Sequence, residues 1–181
     1  GAGDTVYGQG GRDLIDVSAG AAFKRVDGGD GIDTLLMPIA GDYTASGNHW
    51  QIDNIEVWSL RDAAPQTIQI DEDVIRNFTD GPNALTHEDP SLVLIGDEGD
   101  VVQITGSWFY DSNVLLPIGQ SIEEFTKVSD GSLALYVDQF VRLEITAGDG
   151  ARTTFGGSAG ETLSGTPLDD FLDGRLGADT L

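Results

Sequence analysis

Through the middle of the chain, apolar and polar residues alternate in short runs separated by turn residues. Ile68 and Ile70 fall on one side of such a run, as do Val102 and Ile104, then Leu133, Leu135 and Val137, then Val141, Leu143 and Ile145. Successive side chains of a strand point to opposite faces, so a period of two marks a half-buried strand. The pattern predicts strands over 67–70, 101–105, 133–137 and 141–145, and denser apolar runs at 34–37, 55–60 and 92–95 predict three more. One stretch keeps a helical period instead: Val74, Ile75 and Phe78 share a face, and Asp71 stands where its carboxylate can cap the first turn. An all-β chain with one short helix is expected.

Toward both ends the alternation gives way to a nine-residue rhythm. The last 26 residues read as GGSAGETLS from Gly156, GTPLDDFLD from Gly165 and GRLGADTL from Gly174, with Leu163, Leu172 and Leu181 in phase, and Glu161, Asp170 and Asp179 likewise. Asp4 and Asp13, and Val6 and Ile15, keep the same spacing near the start, and residues 28–36 fit G-G-x-G-x-D-x-U-x at every specified position. In this pattern a short strand turns its one apolar residue inward and glycines let the backbone reverse and aim carbonyls into the turn. The sixth-position acid adds a carboxylate, giving the all-oxygen, irregular shell that Ca2+ prefers.

The repeats resemble the repeats-in-toxin, or hemolysin-type calcium-binding, family of secreted Gram-negative proteins. The resemblance implies a calcium-binding parallel β-roll or β-solenoid over 1–37 and 155–181, with several Ca2+ ions. Candidate ligands are Asp33 with the Gly28 to Gly31 turn, Asp13 with the Gly8 to Gly11 turn, and Asp170 and Asp179 in the terminal set. Turns two repeats apart should share an ion, so Gly156 and Gly174 frame one candidate site. Asp27 and Asp30 either add ligands or are solvated turn acids. Ala159 and Leu168 depart from the fourth-position glycine, Glu161 from the sixth-position Asp, and the first repeat is irregular at Gly3 and Asp4.

The central segment 38–154, with DNIEVWSL, TIQIDEDVI, LVLIGDEGDVVQITGSW and LALYVD in order, resembles a segment found beside such repeats in large bacterial adhesins. That resemblance implies an irregular β-solenoid or small sandwich, a strand beginning at Ile55-Glu56 after an asparagine turn, and a turn between two parallel strands at Gly96 to Asp100. Asp97 and Asp100 there either bind an ion or cap the turn. The whole chain, 1–181, is expected to be one module. The implied function is a Ca2+-folding part of a type I-secreted adhesin that contributes to attachment or ligand binding. The alternative is a passive folding and secretion module attached to an enzyme. Gly1 falls within a repeat and Leu181 ends in mid-repeat, so neighbouring domains of a longer chain are expected.

Composition narrows the partners. The 31 acids stand against 9 bases, a formal charge of -22, which disfavours nucleic acid and anionic membrane surfaces. With no cysteine, neither disulfides nor thiolate metal sites can staple the fold, and no apolar run is long enough to span a membrane. A secreted or cell-surface location is implied by the resemblance.

Signals for catalysis are scarce, and no enzyme is expected. His49 and His87 are the only histidines, with no H-E-x-x-H helix and no G-x-S-x-G elbow. Asp89-Pro90 is read as an ordinary loop dipeptide rather than a self-cleaving bond. Trp108, Phe109 and Tyr110 are consecutive, so at least one must face outward if they lie in a strand. Together with Trp50 they are the best indication of a surface for an extracellular glycan or peptide.

Overall fold

A computed structural model describes residues 3–18, 23–37, 39–44, 51–62, 64–79 and 81–181. The amino-terminal part contains β1 (Asp4–Tyr7), β2 (Gly10–Gly11), β3 (Leu14–Asp16), β4 (Phe23–Asp27), β5 (Asp30–Gly31), β6 (Thr34–Leu36), β7 (Gly41–Asp42), β8 (Gln51–Asp53) and β9 (Val57–Ser59). The centre holds β10 (Thr67–Ile70), α1 (Glu72–Phe78), β11 (Ser91–Ile95), β12 (Val101–Thr105), β13 (Phe109–Ile118) and β14 (Ser121–Ser129). The remainder forms β15 (Ala134–Asp138), β16 (Arg142–Thr146), β17 (Arg152–Phe155) and β18 (Phe171–Asp173). The chain is all-β apart from one helix, as the alternation predicts.

The strands form two large mixed sheets and two small parallel ones. The larger runs β13-β14-β15-β11-β9-β6-β3, parallel from β3 to β15 with the antiparallel β13–β14 hairpin at its edge. The other runs β18-β17-β16-β12-β10-β7 and is parallel except between β16 and β17. Near the amino terminus β1, β4 and β8 form a parallel sheet, and β2 pairs with β5. Leu14 lies beside Thr34 and Gly10 beside Asp30, each twenty residues on. In the carboxy-terminal repeats Thr153 lies beside Phe171, and Thr162 beside Thr180, each eighteen residues on, the length of two nonapeptides.

One apolar cluster fills the space between sheets: Leu35, Trp58, Leu94 and Leu135 meet Ile68, Val102 and Leu143, all fully buried. Each such side chain contributes about 2 kcal/mol of burial. Trp58 sits near the middle. Phe78 stacks on it with centroids 5.1 Å apart, Tyr43 meets it edge-on at 4.9 Å, and its Nε1 donates to the Met37 carbonyl at 3.1 Å. The helix is placed by this contact and by its cap: Asp71 accepts from the Val74 N–H at 3.1 Å, and Val74, Ile75 and Phe78 are buried.

A second cluster lies on the other face of the larger sheet, where Val57, Val93, Ile95 and Tyr136 pack with Leu116 and Phe125 of the hairpin and with Leu85. With both faces covered, LVLI at 92–95 needs no polar alternate, which is why that strand reads as an unbroken apolar run. The hairpin itself escapes the alternation signal. Much of β13 is exposed, and Asp111, Ser112, Asn113 and Pro117 interrupt its apolar positions. The Gly96 to Asp100 turn joins β11 of the larger sheet to β12 of the other, and each of these strands pairs in parallel with its neighbours. No helix among the described residues is long and apolar enough to cross a membrane.

Candidate metal centre

The amino-terminal nonapeptide turns stand one above another because β1, β4 and β8 feed each turn from one parallel sheet into β3, β6 and β9 of the next. Their sixth-position acids are threaded together by backbone hydrogen bonds. Asp33 Oδ1 accepts from the Asp13 N–H at 2.8 Å, and Glu56 Oε2 accepts from the Asp33 N–H at 2.7 Å. Each acid thus takes the amide of the matching position one turn back.

The second oxygen of each Asp is placed differently. In this column Asp13 Oδ2 and Asp33 Oδ2 are enclosed and have no hydrogen-bond partner, and Asp33 as a residue is fully buried. Both oxygens fold back over the first glycine of their own turn. A Cβ on Gly28 would stand 2.7 Å from Asp33 Oδ2 and collide with the Asn54 carbonyl; a Cβ on Gly8 would stand 2.9 Å from Asp13 Oδ2 and collide with the Gly28 carbonyl. Two oxygens, one carboxylate and one carbonyl, therefore crowd each of these points. Burial raises the pKa of Asp33 above the ordinary carboxylate value, opposed by the Asp13 amide and reinforced by the Asp13 charge. Burial likewise raises that of Glu56.

The remaining expected ligands divide into several kinds. Asp27 is committed elsewhere: Oδ2 accepts from Arg25 at 3.0 Å and Oδ1 from the Asn54 amide at 2.9 Å. Asp30 is exposed, with its N–H donating to the Gln9 carbonyl at 2.8 Å. Gly11 and Gly31 pair with each other across β2 and β5, so close that a Cβ on Gly31 would strike the Gly11 carbonyl. Asp100 is fully buried and caps its turn with both oxygens, accepting from Gln66 N–H at 2.8 Å and Asp97 N–H at 2.7 Å, while burial raises its pKa. Asp170 accepts from the Arg152 N–H at 2.7 Å and from the Thr166 N–H and hydroxyl, which hold its carboxyl below the usual range. Asp179 Oδ1 accepts from the Glu161 N–H at 2.9 Å.

The Gly156 and Gly174 turns do stack, with the Gly156 N–H donating to the Asp173 carbonyl at 2.7 Å. A guanidinium already stands beside them. Arg175 lies over the Phe155 ring at 5.1 Å and donates to the Val141 carbonyl at 3.1 Å, while its Nε and Nη2 are enclosed without partners. Burial lowers its pKa to about 10, so it stays charged at neutral pH, among Asp173, Glu161, Asp138 and Glu124. Arg61 does the same for the turns nearer the centre, bridging Glu123 at 2.6 Å and the fully buried Asp138 at 2.9 Å. An internal cation faces this column, whereas the Asp13–Asp33 column has none among the described residues at its orphaned oxygens.

No group of three or more Asp, Glu, His or Cys side chains among the described residues gathers as a metal cage. A cation at Asp13 and Asp33 would take most of its shell from backbone carbonyls, which Ca2+ loops combine with carboxylates. Glu56, Asn54, Arg61 and Arg175 are the residues that sequence reasoning missed. Glu56 and Asn54 occupy the place of a repeat without its spacing, and an arginine inside a turn carries no recognisable signal of its own.

His87 is exposed at positive φ, and His49 and Trp50 lie outside the described residues. Trp58 and Trp108 are buried, while Phe109 and Tyr110 are 65% and 50% exposed, so two of the three consecutive aromatics face outward. Comparison of the chain with protein-family models, curated proteins and solved structures finds no match.

Proposed function

We propose that this chain is a Ca2+-stabilised β-roll module of the repeats-in-toxin kind, part of a secreted or cell-surface Gram-negative adhesin, which folds as Ca2+ binds and contributes to attachment. The observation that carries this reading is the pair of enclosed, unpartnered carboxylate oxygens at Asp13 and Asp33, each beside a carbonyl of the next turn. The complete nonapeptide at 28–36 and the parallel neighbours spaced by two repeats at 153 and 171 support it from the sequence side.

Asp13 and Asp33, with the Gly28 and Asn54 carbonyls, are the residues that would hold the ion. Bound Ca2+ supplies positive charge to oxygens that otherwise lack a donor. The chain contributes the rest: glycine at 8 and 28 leaves room for the acids to fold back, and the amide ladder from Asp13 to Glu56 fixes their orientation. Without a cation the net charge of -22 and the buried acids oppose compaction. Ligand binding restricted to the folded state raises stability with concentration, by about 2.7 kcal/mol at a hundred times the dissociation constant.

Thermal melting followed by circular dichroism, in EDTA and then in Ca2+ or Mg2+, tests the proposal. A rise in melting temperature with Ca2+ that equimolar Mg2+ does not match is expected. Identical melts in all three conditions would rule it out.

A further inference from the structure

Away from the orphaned oxygens, a cleft of about 360 Å3 opens where the start of β13 meets the β16–β17 turn and the 169–171 segment. Ligand sites of small molecules typically span about 300–1,000 Å3 and combine apolar walls with a few placed polar groups. This cleft has that make-up. Phe109 and Phe171 present rings to it that are 65% and 51% exposed, and Arg152 and Asp169 supply a donor and an acceptor.

The walls are fixed in advance. Asp170 takes the Arg152 N–H at 2.7 Å and the Thr166 hydroxyl at 3.0 Å, which ties the 166–170 turn to β17. Phe171 packs on buried Phe155 with centroids 5.6 Å apart, and Tyr110 lies against Phe155 at the same distance. One exposed ring is therefore held by a buried one. Large aromatic surface left in water costs free energy, and here it is kept in a rigid setting.

Trp108 also lines the cleft. Trp108 is only 5% exposed and its Nε1 has no hydrogen-bond partner. Gly106, at positive φ, abuts the indole: a Cβ there would stand 3.2 Å from Nε1 and 3.9 Å from Glu72 Oε1.

We propose that this cleft binds a neutral glycan. The apolar C–H face of a pyranose fits exposed aromatic rings, and its hydroxyls both donate to a carboxylate such as Asp169 and accept from Arg152. An anionic ligand would meet Asp169 and a chain of net charge -22. A purely apolar ligand would bury the Arg152 and Asp169 charges without compensation. The site goes beyond the Ca2+ reading and needs from it only that the chain be folded.

The test is a printed array of neutral, sialylated and sulfated oligosaccharides together with linear peptides, probed in Ca2+-containing buffer, followed by titration of the best-bound free oligosaccharide. A neutral oligosaccharide is expected to bind best, and Phe109→Ala and Phe171→Ala each to weaken it about tenfold, or about 1.4 kcal/mol. On titration the Trp108 indole 15N–1H resonance should shift, while that of Trp58, already bonded to Met37, stays in place. A melt of each protein in the same buffer and in EDTA reports folding and its Ca2+ dependence separately, so a failure of the Ca2+ reading registers there. The proposal is overturned if the folded protein binds no neutral oligosaccharide, prefers the acidic ones or a peptide, or binds equally well after both substitutions.

Discussion

Asp33→Asn separates the charge of the central carboxylate from its shape. Asparagine keeps an oxygen to accept the Asp13 N–H and places an amide where Oδ2 now lies enclosed without a donor, beside the Asn54 carbonyl. In metal-free protein the substitution removes a buried charge and puts a donor where an enclosed oxygen has none. Leaving a buried polar group unsatisfied costs about 1–3 kcal/mol, and that is the size of the expected gain. For a chain of this length each kcal/mol moves the melting temperature by roughly 2–4 °C. In Ca2+ the sign reverses, because the variant forgoes most of the roughly 2.7 kcal/mol that a hundredfold excess over the dissociation constant provides. Melting temperatures of the two proteins in EDTA and in Ca2+, measured by differential scanning calorimetry, should cross. If Asp33→Asn melts below the parent in EDTA, or keeps the parent's full rise with Ca2+, the assignment of Asp33 is wrong.

Gly28→Ala would press a Cβ into the Asn54 carbonyl and to 2.7 Å from Asp33 Oδ2, so urea denaturation should report a loss of about 3 kcal/mol. Trp58→Ala removes the ring between Phe78 and Tyr43 and should cost about 3–5 kcal/mol by the same measurement. Arg175→Gly takes a fixed cation out of the terminal turns at a position with φ of 54°, which glycine adopts freely; isothermal titration calorimetry should then count one more Ca2+ than in the parent. Burial raises the carboxyl pKa values of Asp33, Glu56, Asp100 and Asp138 above their unfolded values. The folded chain then holds more protons than the unfolded one in the window above the ordinary carboxylate range, so these groups make stability fall as pH rises through it. Urea midpoints in EDTA should be higher near pH 5 than at pH 7.5, and a midpoint that climbs steadily over that range would contradict the assignment.

The strands at 67–70, 101–105 and 141–145 and the helix with its Asp71 cap were legible because each follows from local chemistry: a period of two, a period near 3.6, and a side-chain oxygen ahead of the first turn. The first-position glycines were legible too, though their purpose is sharper in the structure. At Gly8, Gly28, Gly165 and Gly174 the missing Cβ leaves space for the acid five residues later. The β13–β14 hairpin was not legible, since its burial depends on how it lies over Ile32 and Leu85 rather than on its own pattern.

The sequence by itself determined the all-β composition, the alternating strands of the centre, and the acids at the sixth position, because these rest on spacing along the chain. Only the tertiary structure decided what each acid faces. Asp170 and Asp100 spend their oxygens on backbone amides, Asp27 on Arg25 and Asn54, and the Gly156–Gly174 stack on neighbouring amides beside Arg175. Asp13 and Asp33 alone among the expected ligands keep an enclosed oxygen without a donor. The physical reason is that a carboxylate's partner is set by what surrounds it once the turns stack, and the amino-terminal acids stack at offsets of twenty and twenty-three residues, which a nine-residue spacing does not give.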